Sequence, residues 1–424
     1  IQRMKIPPSV VVVMNPKSIK RVGLGEIEFD ERIYPRAEIS WKTVDQLVEK
    51  IKGGENLDPL KIQKVKEKGK SKTISLDGRH RTEAYRKFND LDGYDEIVKV
   101  RVKPWKDKVL DFEDNRDDLL VKSYQLNDYQ ELTVSARDVK KTAKTLRKRN
   151  PSCSAEKIGK KLGRDKSTIH HHIKDIIQDQ KASEHSLIVR LSRLGWAQKE
   201  IANHSKVSVK RSTISKKVKK LDIPQIHNLF HKGKPIDMIS KVNDIDTQTT
   251  WSILLEGKPD SERFGVFGKS EHGDDKPKNV DKWEFPHPDP RIGNDYPGRF
   301  DGQAVLNILY YHTDRGDLVV DAFAGGGSTI DACLIMGRKC RGYDIKPSRN
   351  DILENDIRSG YPTEAQGADM VFLDPPYGDK MAEDYGDNGF TEDRDTILEN
   401  MDKLAEDSYK ALCNDGKAAF IFGN

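Results

Sequence analysis

Two short motifs in this 424-residue chain bring acids, glycines, prolines and an aromatic together at the ends of apolar runs. The first, Asp321-Ala322-Phe323-Ala324-Gly325-Gly326-Gly327-Ser328-Thr329, follows Leu318-Val319-Val320. The second, Asp374-Pro375-Pro376-Tyr377, follows Met370-Val371-Phe372-Leu373. Between them Gly342-Tyr343-Asp344 ends another short strand in an acid. Strand, glycine turn, helix, strand and acid is the pattern by which an α/β sheet binds a nucleoside at the carboxyl ends of its strands. Glycines at the turn let the backbone approach a ligand where a Cβ would collide.

Charge points to the class of partner. The formal net charge is +5, yet residues 137–222 hold 24 Lys+Arg against 8 Asp+Glu, while residues 351–415 hold 5 against 18. A basic block in a nearly neutral chain favours a polyanion, most simply nucleic acid, over a merely solvated helical face. No apolar run approaches the roughly 18–20 residues of a membrane span. The four cysteines, Cys153, Cys333, Cys340 and Cys413, form no Cys-x-x-Cys pair, which fits a reducing cytoplasm and argues against zinc ribbons and disulfide frameworks.

The order of elements before the motifs is legible from periodicity. Val44, Leu47, Val48 and Ile51 recur at helical spacing, closed by Gly53-Gly54, and Leu60–Ile62, Ile74–Asp77 and Val98–Val102 read as strands. In Asp77-Gly78-Arg79-His80-Arg81 a turn opens a helix. Arg79 and Arg81 stand there where helix-start amides can meet a phosphate, or equally can pair with acids such as Glu83. Further on, Ser154 caps a helix carrying Ile158 and Leu162, Gly163-Arg164-Asp165 turns, and Lys166-Ser167-Thr168 opens a second short helix with Ile169, Ile173 and Ile176 inside. That is helix-turn-helix geometry, with Arg164, Lys166, Ser167, Thr168 and His170 expected to face DNA.

The pattern repeats 45 residues later: Ser212-Thr213-Ile214 with Val218 and Leu221 at the same offsets, behind a helix holding Gln198, Glu200, Ile201 and Ala202. Lys210, Arg211, Ser212 and Thr213 thus take the second DNA-facing position. A third match, Met238 to Leu255, is poorer and reads equally well as a helical spacer with Trp251 in its core. His170-His171-His172 is no metal site, because consecutive helical side chains point about 100° apart; no metal is expected. The resulting division is 1–110, a small α/β domain; 111–181, a helical region with the first helix-turn-helix; 182–256, the second with its spacer; 257–299, a linker dense in glycine and proline; and 300–424, the α/β domain with the motifs.

From about Trp283 to Asn424 the chain resembles the amino-methylating DNA methyltransferases, which use S-adenosylmethionine; Asp321 to Thr329 and Asp374 to Tyr377, in that order, carry the resemblance. It implies a Rossmann-like domain in which Asp321, Phe323, Gly325 and Gly327 hold the cofactor's methionine part. Asp344 would meet the ribose, and Asp356 the adenine amino group, unless Asp356 is an ordinary cap. Asp374, Pro375, Pro376 and Tyr377 would be catalytic. The Asp374 carboxylate and the Pro375 carbonyl accept from a base amino group, which faces the sulfonium methyl, and Tyr377 stacks on a flipped base. Asp rather than Ser at the head of the motif favours adenine N6 over cytosine N4.

The motif order is that of the gamma group, with Phe300–Thr313 over the cofactor and a target-recognition region after the sheet. Here the chain stops after a fifth strand, so the domain is expected to be truncated, or sequence choice to come from the preceding modules. Phe29 to Arg36, Leu57-Asp58-Pro59-Leu60 and Asp77 to Arg81 resemble the amino-terminal domain of ParB-like partition proteins, which a helix-turn-helix also follows, although Gly-Arg-His-Arg stands where those proteins carry Glu-Arg-Arg. Together these imply a multidomain protein on double-stranded DNA in the cytoplasm, and allow a nucleotide at the first domain and a homodimer. The expected activity is adenine-N6 DNA methylation; the alternative is a ParB-like DNA-binding partition or regulatory protein with an inactive methyltransferase domain.

Overall fold

The computed structural model describes residues 19–36, 38–92, 99–128, 134–268, 277–278, 289–376 and 394–421. Tyr377, Trp283 and Phe285 lie outside them. The chain divides into two compact units, residues 1–178 and 179–424.

In the first unit, strands β1 (Lys20–Gly23), β2 (Ile27–Glu28), β3 (Leu60–Glu67), β4 (Lys70–Asp77), β5 (Lys99–Pro104) and β6 (Leu110–Asp111) form one sheet. Its order is β1-β5-β3-β4-β2, with β6 on β3. The helix Trp41–Lys52 begins where the Ser40 hydroxyl accepts the Thr43 N–H at 3.3 Å. It buries Val44 and Val48 against Ala84 of the helix Arg79–Asp92. The expected helix and strands of this region are all present. Helices Phe112–Asp128, Ala136–Arg149 and Ala155–Leu162 do not stand apart from the sheet: Val65, Ile74 and Leu76 share one core with Leu119, Leu146, Ile158, Ile169 and Ile173. Gly163 ends Ala155–Leu162 in the left-handed region (φ 60°), and a Cβ on Gly159 would lie 2.5 Å from the Arg164 carbonyl oxygen. The turn is therefore tight. The helix after it is not short, however; it runs 28 residues, Lys166–Arg193, and the division between the units falls inside it.

The second unit is built on strands β7 (Leu318–Asp321), β8 (Lys339–Asp344), β9 (Ile352–Glu354), β10 (Ala368–Leu373) and β11 (Leu412–Phe420). Their order is β11-β10-β7-β8-β9 and every pairing is parallel. Parallel strands covered on both faces need near-continuous apolar runs, which is why Val319, Val320, Val371 and Phe372 are buried without alternation. The order reverses between β7 and β10, and such a reversal opens a ligand crevice at the carboxyl ends of the strands.

Helices Gln198–Asn203 and Arg211–Lys219 place Ile201 and Ile214 in the same core as Val319, Met370 and Phe372. The repeat therefore holds through Ile214, but this second helix stops at Lys219 where its counterpart continues. In the third candidate, helices Ile236–Val242 and Thr247–Leu254 do flank a turn, yet Thr249, Thr250 and Ser252 of the second helix are buried. That leaves no reading face, so the spacer alternative describes it. Within residues 257–299, read from sequence as a linker, the helix Asp260–Gly268 buries Phe264 and Phe267 completely. No helix among the described residues is long and apolar enough to cross a membrane.

Candidate active site and DNA-facing helices

Register brings the two motifs together. β10 pairs with β7 so that Phe372 lies opposite Asp321; Asp321 ends β7, Asp344 ends β8, and Asp374 follows β10 directly. Asp321 is 3% exposed and accepts the Phe323 N–H at 2.9 Å. Burial pushes its carboxyl up to about 7, with the negative Asp374 and Asp344 adding to the shift. Burial likewise raises Asp344, which accepts the N–H groups of Gly325 at 3.0 Å and Lys346 at 2.8 Å. Three carboxylates thus face one crevice. Asp374 is half-buried and Pro375 buried.

A folded-state value above the ordinary carboxyl range means that Asp321 keeps its proton in the fold after the unfolded chain has lost it. Stability linked to this group therefore falls as pH rises from about 4 to 7. Asp321→Asn is expected to flatten that slope, and urea denaturation of both proteins at several pH values checks it; parallel slopes would contradict the assignment.

The glycine loop is shaped from behind. The Ser348 hydroxyl donates to the Gly325 carbonyl at 2.5 Å, Arg349 to those of Gly326 at 3.1 Å and Gly327 at 3.3 Å, and the Asn294 N–H to Gly326 at 2.8 Å. The carbonyls are thereby turned into the protein, and the Gly326 N–H makes no hydrogen bond among the described residues. A Cβ on Gly327 (φ 81°) would meet Arg349 Nη1 at 2.3 Å, and one on Gly326 the Asn294 carbonyl oxygen at 2.9 Å. The protein itself therefore already makes close approaches of the kind expected from a ligand. Behind the loop sits a buried ion cluster: Arg349 binds Asp331 (2.8 Å) and Asp351 (2.6 Å), and Arg190 binds Asp351 (2.6 Å), Asp246 (2.8 Å) and Asp331.

The two helix pairs expected to be helix-turn-helix units use their polar residues differently. Arg164, expected to face DNA, is instead half-buried, bound to Asp128 at 2.9 Å and placed 5.9 Å from the Tyr124 ring centroid. The Thr168 hydroxyl donates to Asp165 at 2.7 Å, and the Ser167 hydroxyl also donates to Asp165, which caps the helix. Lys166 and His170 are exposed. In the second unit Lys210, Arg211 and Ser212 are exposed and Thr213 is half-buried.

Near the start of the chain the two arginines of the glycine turn part company. Arg81 is buried, bound to Asp77 at 2.7 Å and to the Asp58 carbonyl at 3.0 Å. Arg79 makes no ion pair among the described residues and lies 5.8 Å from the Tyr34 ring centroid. Glu83 pairs with Arg86 at 2.8 Å rather than with either. Burial, with Arg36, Arg79 and Arg81 nearby, holds His80 near 4, so it is a neutral acceptor for the Ser40 N–H at 3.0 Å. Arg81→Ala strands a buried carboxylate and is expected to cost about 3–5 kcal/mol, whereas Arg79→Ala should stay within about 0.5 kcal/mol. Denaturant midpoints of the two variants measure the difference.

A family model described as DNA methylase, of the N6/N4 amino-methylating type, matches residues 9–355, most of the chain. The chain belongs to this DNA methylase family. The match includes the glycine loop and ends before Asp374. Type II methyltransferase M.MjaII of Methanocaldococcus jannaschii is 30% identical over 109 residues, 26% of this chain; the matched stretch is 20% of that relative's length. Among solved structures the chain is similar to the C-terminally truncated chromosome-partitioning protein ParB of Caulobacter crescentus in two complexes. One, complexed with CTP-gamma-S, is 13% identical with TM-score 0.21, over 37% of this chain and 76% of that one. The other, complexed to the centromeric parS site, is 10% identical with TM-score 0.24, over 53% and 98%. A Pnob8-like ParB-N domain is 9% identical with TM-score 0.23, over 60% and 85%. At these scores the likeness carries no argument about arrangement or ligand.

The carboxyl edge of the sheet brings together Asp321, Phe323, the glycines, Asp344, Asp374 and Pro375, with Pro376 beside them. Asp356 follows β9 at the same edge, where the Asn355 N–H donates to the Asp344 carbonyl at 3.0 Å, but its side chain caps the short turn Ile357–Ser359 and binds Arg358 at 2.8 Å. That pairing holds its carboxyl below the usual range, so the cap reading describes its contacts. Sequence reasoning missed Asn294, Ser348 and Arg349, which fix the loop, and Ile345, 50% exposed directly after Asp344. Position next to the acid was the one available signal for Ile345. Arg349 gave none, since a buried arginine reads locally as surface charge.

Proposed function

We propose that this chain methylates an exocyclic base amino group in double-stranded DNA, adenine N6 in preference to cytosine N4, with S-adenosylmethionine as donor. The observation that carries this reading is the β7–β10 register, which sets Asp321 and Asp374 at one switch point. The residues fit such a cofactor: inward-turned loop carbonyls, a Gly326 N–H with no described partner, crevice carboxylates suited to a cation, and the exposed Ile345 beside Asp344. When bound, the cofactor supplies an electrophilic sulfonium methyl. The Asp374 carboxylate and the Pro375 carbonyl accept the two N–H groups of the flipped base, drawing its delocalised lone pair back onto nitrogen and aiming it. Pro376 stiffens the backbone that presents them. Asp374 at the head of the motif favours adenine.

The basic helices hold the duplex through its phosphates. The first unit carries the ParB-like reading, with Arg79 as its candidate phosphate contact and Arg81 as its structural support. Free, buried Cys333 and Cys340 suit a reducing cytoplasm. Transfer of labelled methyl from S-adenosylmethionine to duplex DNA tests the proposal. Label in acid-insoluble DNA is expected; none from a folded, cofactor-binding protein would leave the DNA-binding alternative.

A further inference from the structure

We infer that the second helix-turn-helix, through Arg211 on the helix Arg211–Lys219, selects which DNA sequence is methylated, reading a guanine at a fixed offset from the reacting base. This rests on the methyltransferase reading above and adds the origin of its specificity.

The first support is how that helix pair is attached. The Cys340 N–H of β8 donates to the Leu194 carbonyl at 3.1 Å. Arg341, also on β8, stacks over Trp196 at 4.6 Å and pairs with Glu200 of the first helix at 3.0 Å. A Cβ on Gly195 (φ 75°) would come within 2.4 Å of Lys339 Cγ. Glu184 of the long helix accepts the Ser208 hydroxyl at 2.7 Å and the Lys217 ammonium at 3.3 Å, fastening the turn and the second helix. Ile201 and Ile214 complete the attachment from inside the shared core. The pair is thus part of the unit that carries Asp374, and it cannot turn without breaking that core.

The second support is what the pair leaves available. Lys210, Arg211, Lys216, Lys219 and Lys220 are exposed and make no ion pair among the described residues. In the first helix-turn-helix, by contrast, Arg164, Ser167 and Thr168 are bound to Asp128 and Asp165. Methylating one base in a defined site requires the reader to stand at a constant distance from the reacting nitrogen, which a reader within the same compact unit provides. At the start of a recognition helix, residues reach base edges. An arginine there is suited to the two acceptors of guanine, O6 and N7, while lysines along the helix serve phosphates.

The test methylates a randomised duplex library with the full chain and maps methylated bases by single-molecule sequencing. Wild type should give a motif with a guanine at constant offset. Arg211→Ala should lower discrimination at that guanine by about 10–100-fold. Arg211→Lys, which keeps the charge but lacks the two-pronged donor, should relax the same position and so excludes misfolding as the cause. Lys166→Ala in the first unit should lower yield evenly and keep the motif. An unchanged motif in both Arg211 variants, or a motif altered by Lys166→Ala, would overturn the assignment. No methylation by wild type would instead contradict the methyltransferase reading.

Discussion

Asp374→Ala is expected to lower methyl transfer by about 10³-fold while leaving the fold and cofactor binding intact. Asp374 lies at the end of β10, half-buried, and its role in the proposed reaction is to accept a hydrogen bond that strengthens as the amino nitrogen becomes positive. Such an interaction is made mainly in the transition state, so its loss should appear in kcat more than in KM. The variant carries an internal control: Asp374 is one of the negative neighbours that raise Asp321, so removing it should lower the pH at which Asp321 ionises. Asp374→Asn keeps the shape and one acceptor, and should fall between the two. Single-turnover rates with saturating cofactor separate these cases. A rate within a few-fold of wild type would remove Asp374 from the chemistry.

The largest expected effect on stability lies at Arg190. Arg190 is 6% exposed, and its guanidinium bridges Asp246, Asp331 and Asp351, from three separate segments of the chain. Burial alone would raise Asp351, but Arg190 and Arg349 outweigh it and hold the carboxyl far below the usual range. Arg190→Met leaves these three buried or half-buried acids with Arg349 as their remaining described cation, bound to Asp331 and Asp351 but not to Asp246, which keeps the Ser186 and Thr249 donors, at a cost of about 3–5 kcal/mol. Restoring balance with Asp351→Asn should recover part of the loss, which a double-mutant cycle reads directly. Because a depressed carboxyl favours the fold only while ionised, this contribution should persist above about pH 4 and fade on further acidification. A change below about 0.5 kcal/mol would mean the cluster is energetically idle. As Arg349 of the same cluster supports the Gly326 and Gly327 carbonyls, weaker cofactor binding should accompany the loss.

What the sequence made legible was local. Apolar runs ending in acids located β7, β8 and β10, helical periodicity located Trp41–Lys52, and the duplicated Ser-Thr-Ile spacing located both second helices. Local pattern failed where partners are distant. Arg190 and Arg193 were counted in the basic block, yet Arg190 binds acids 141 and 161 residues away, and Arg193 pairs with Glu256 at 3.2 Å. Glycine and proline density marked residues 257–299 as a linker, but Asn294 holds the glycine loop and Phe264 and Phe267 are core. Breakers signal irregular backbone, which packs as well as regular backbone when its polar groups find partners. Arg164 looked like a DNA contact for the same reason: a turn arginine reads as exposed until Asp128 is brought beside it.

The most direct measurement is nucleoside analysis of duplex DNA incubated with the full chain and S-adenosylmethionine, digested and resolved by mass spectrometry, with Asp374→Ala in parallel. N6-methyladenine is expected from wild type and essentially none from the variant. No methylated nucleoside from a protein that binds both cofactor and DNA, or equal yields from the two proteins, would contradict the methyltransferase reading.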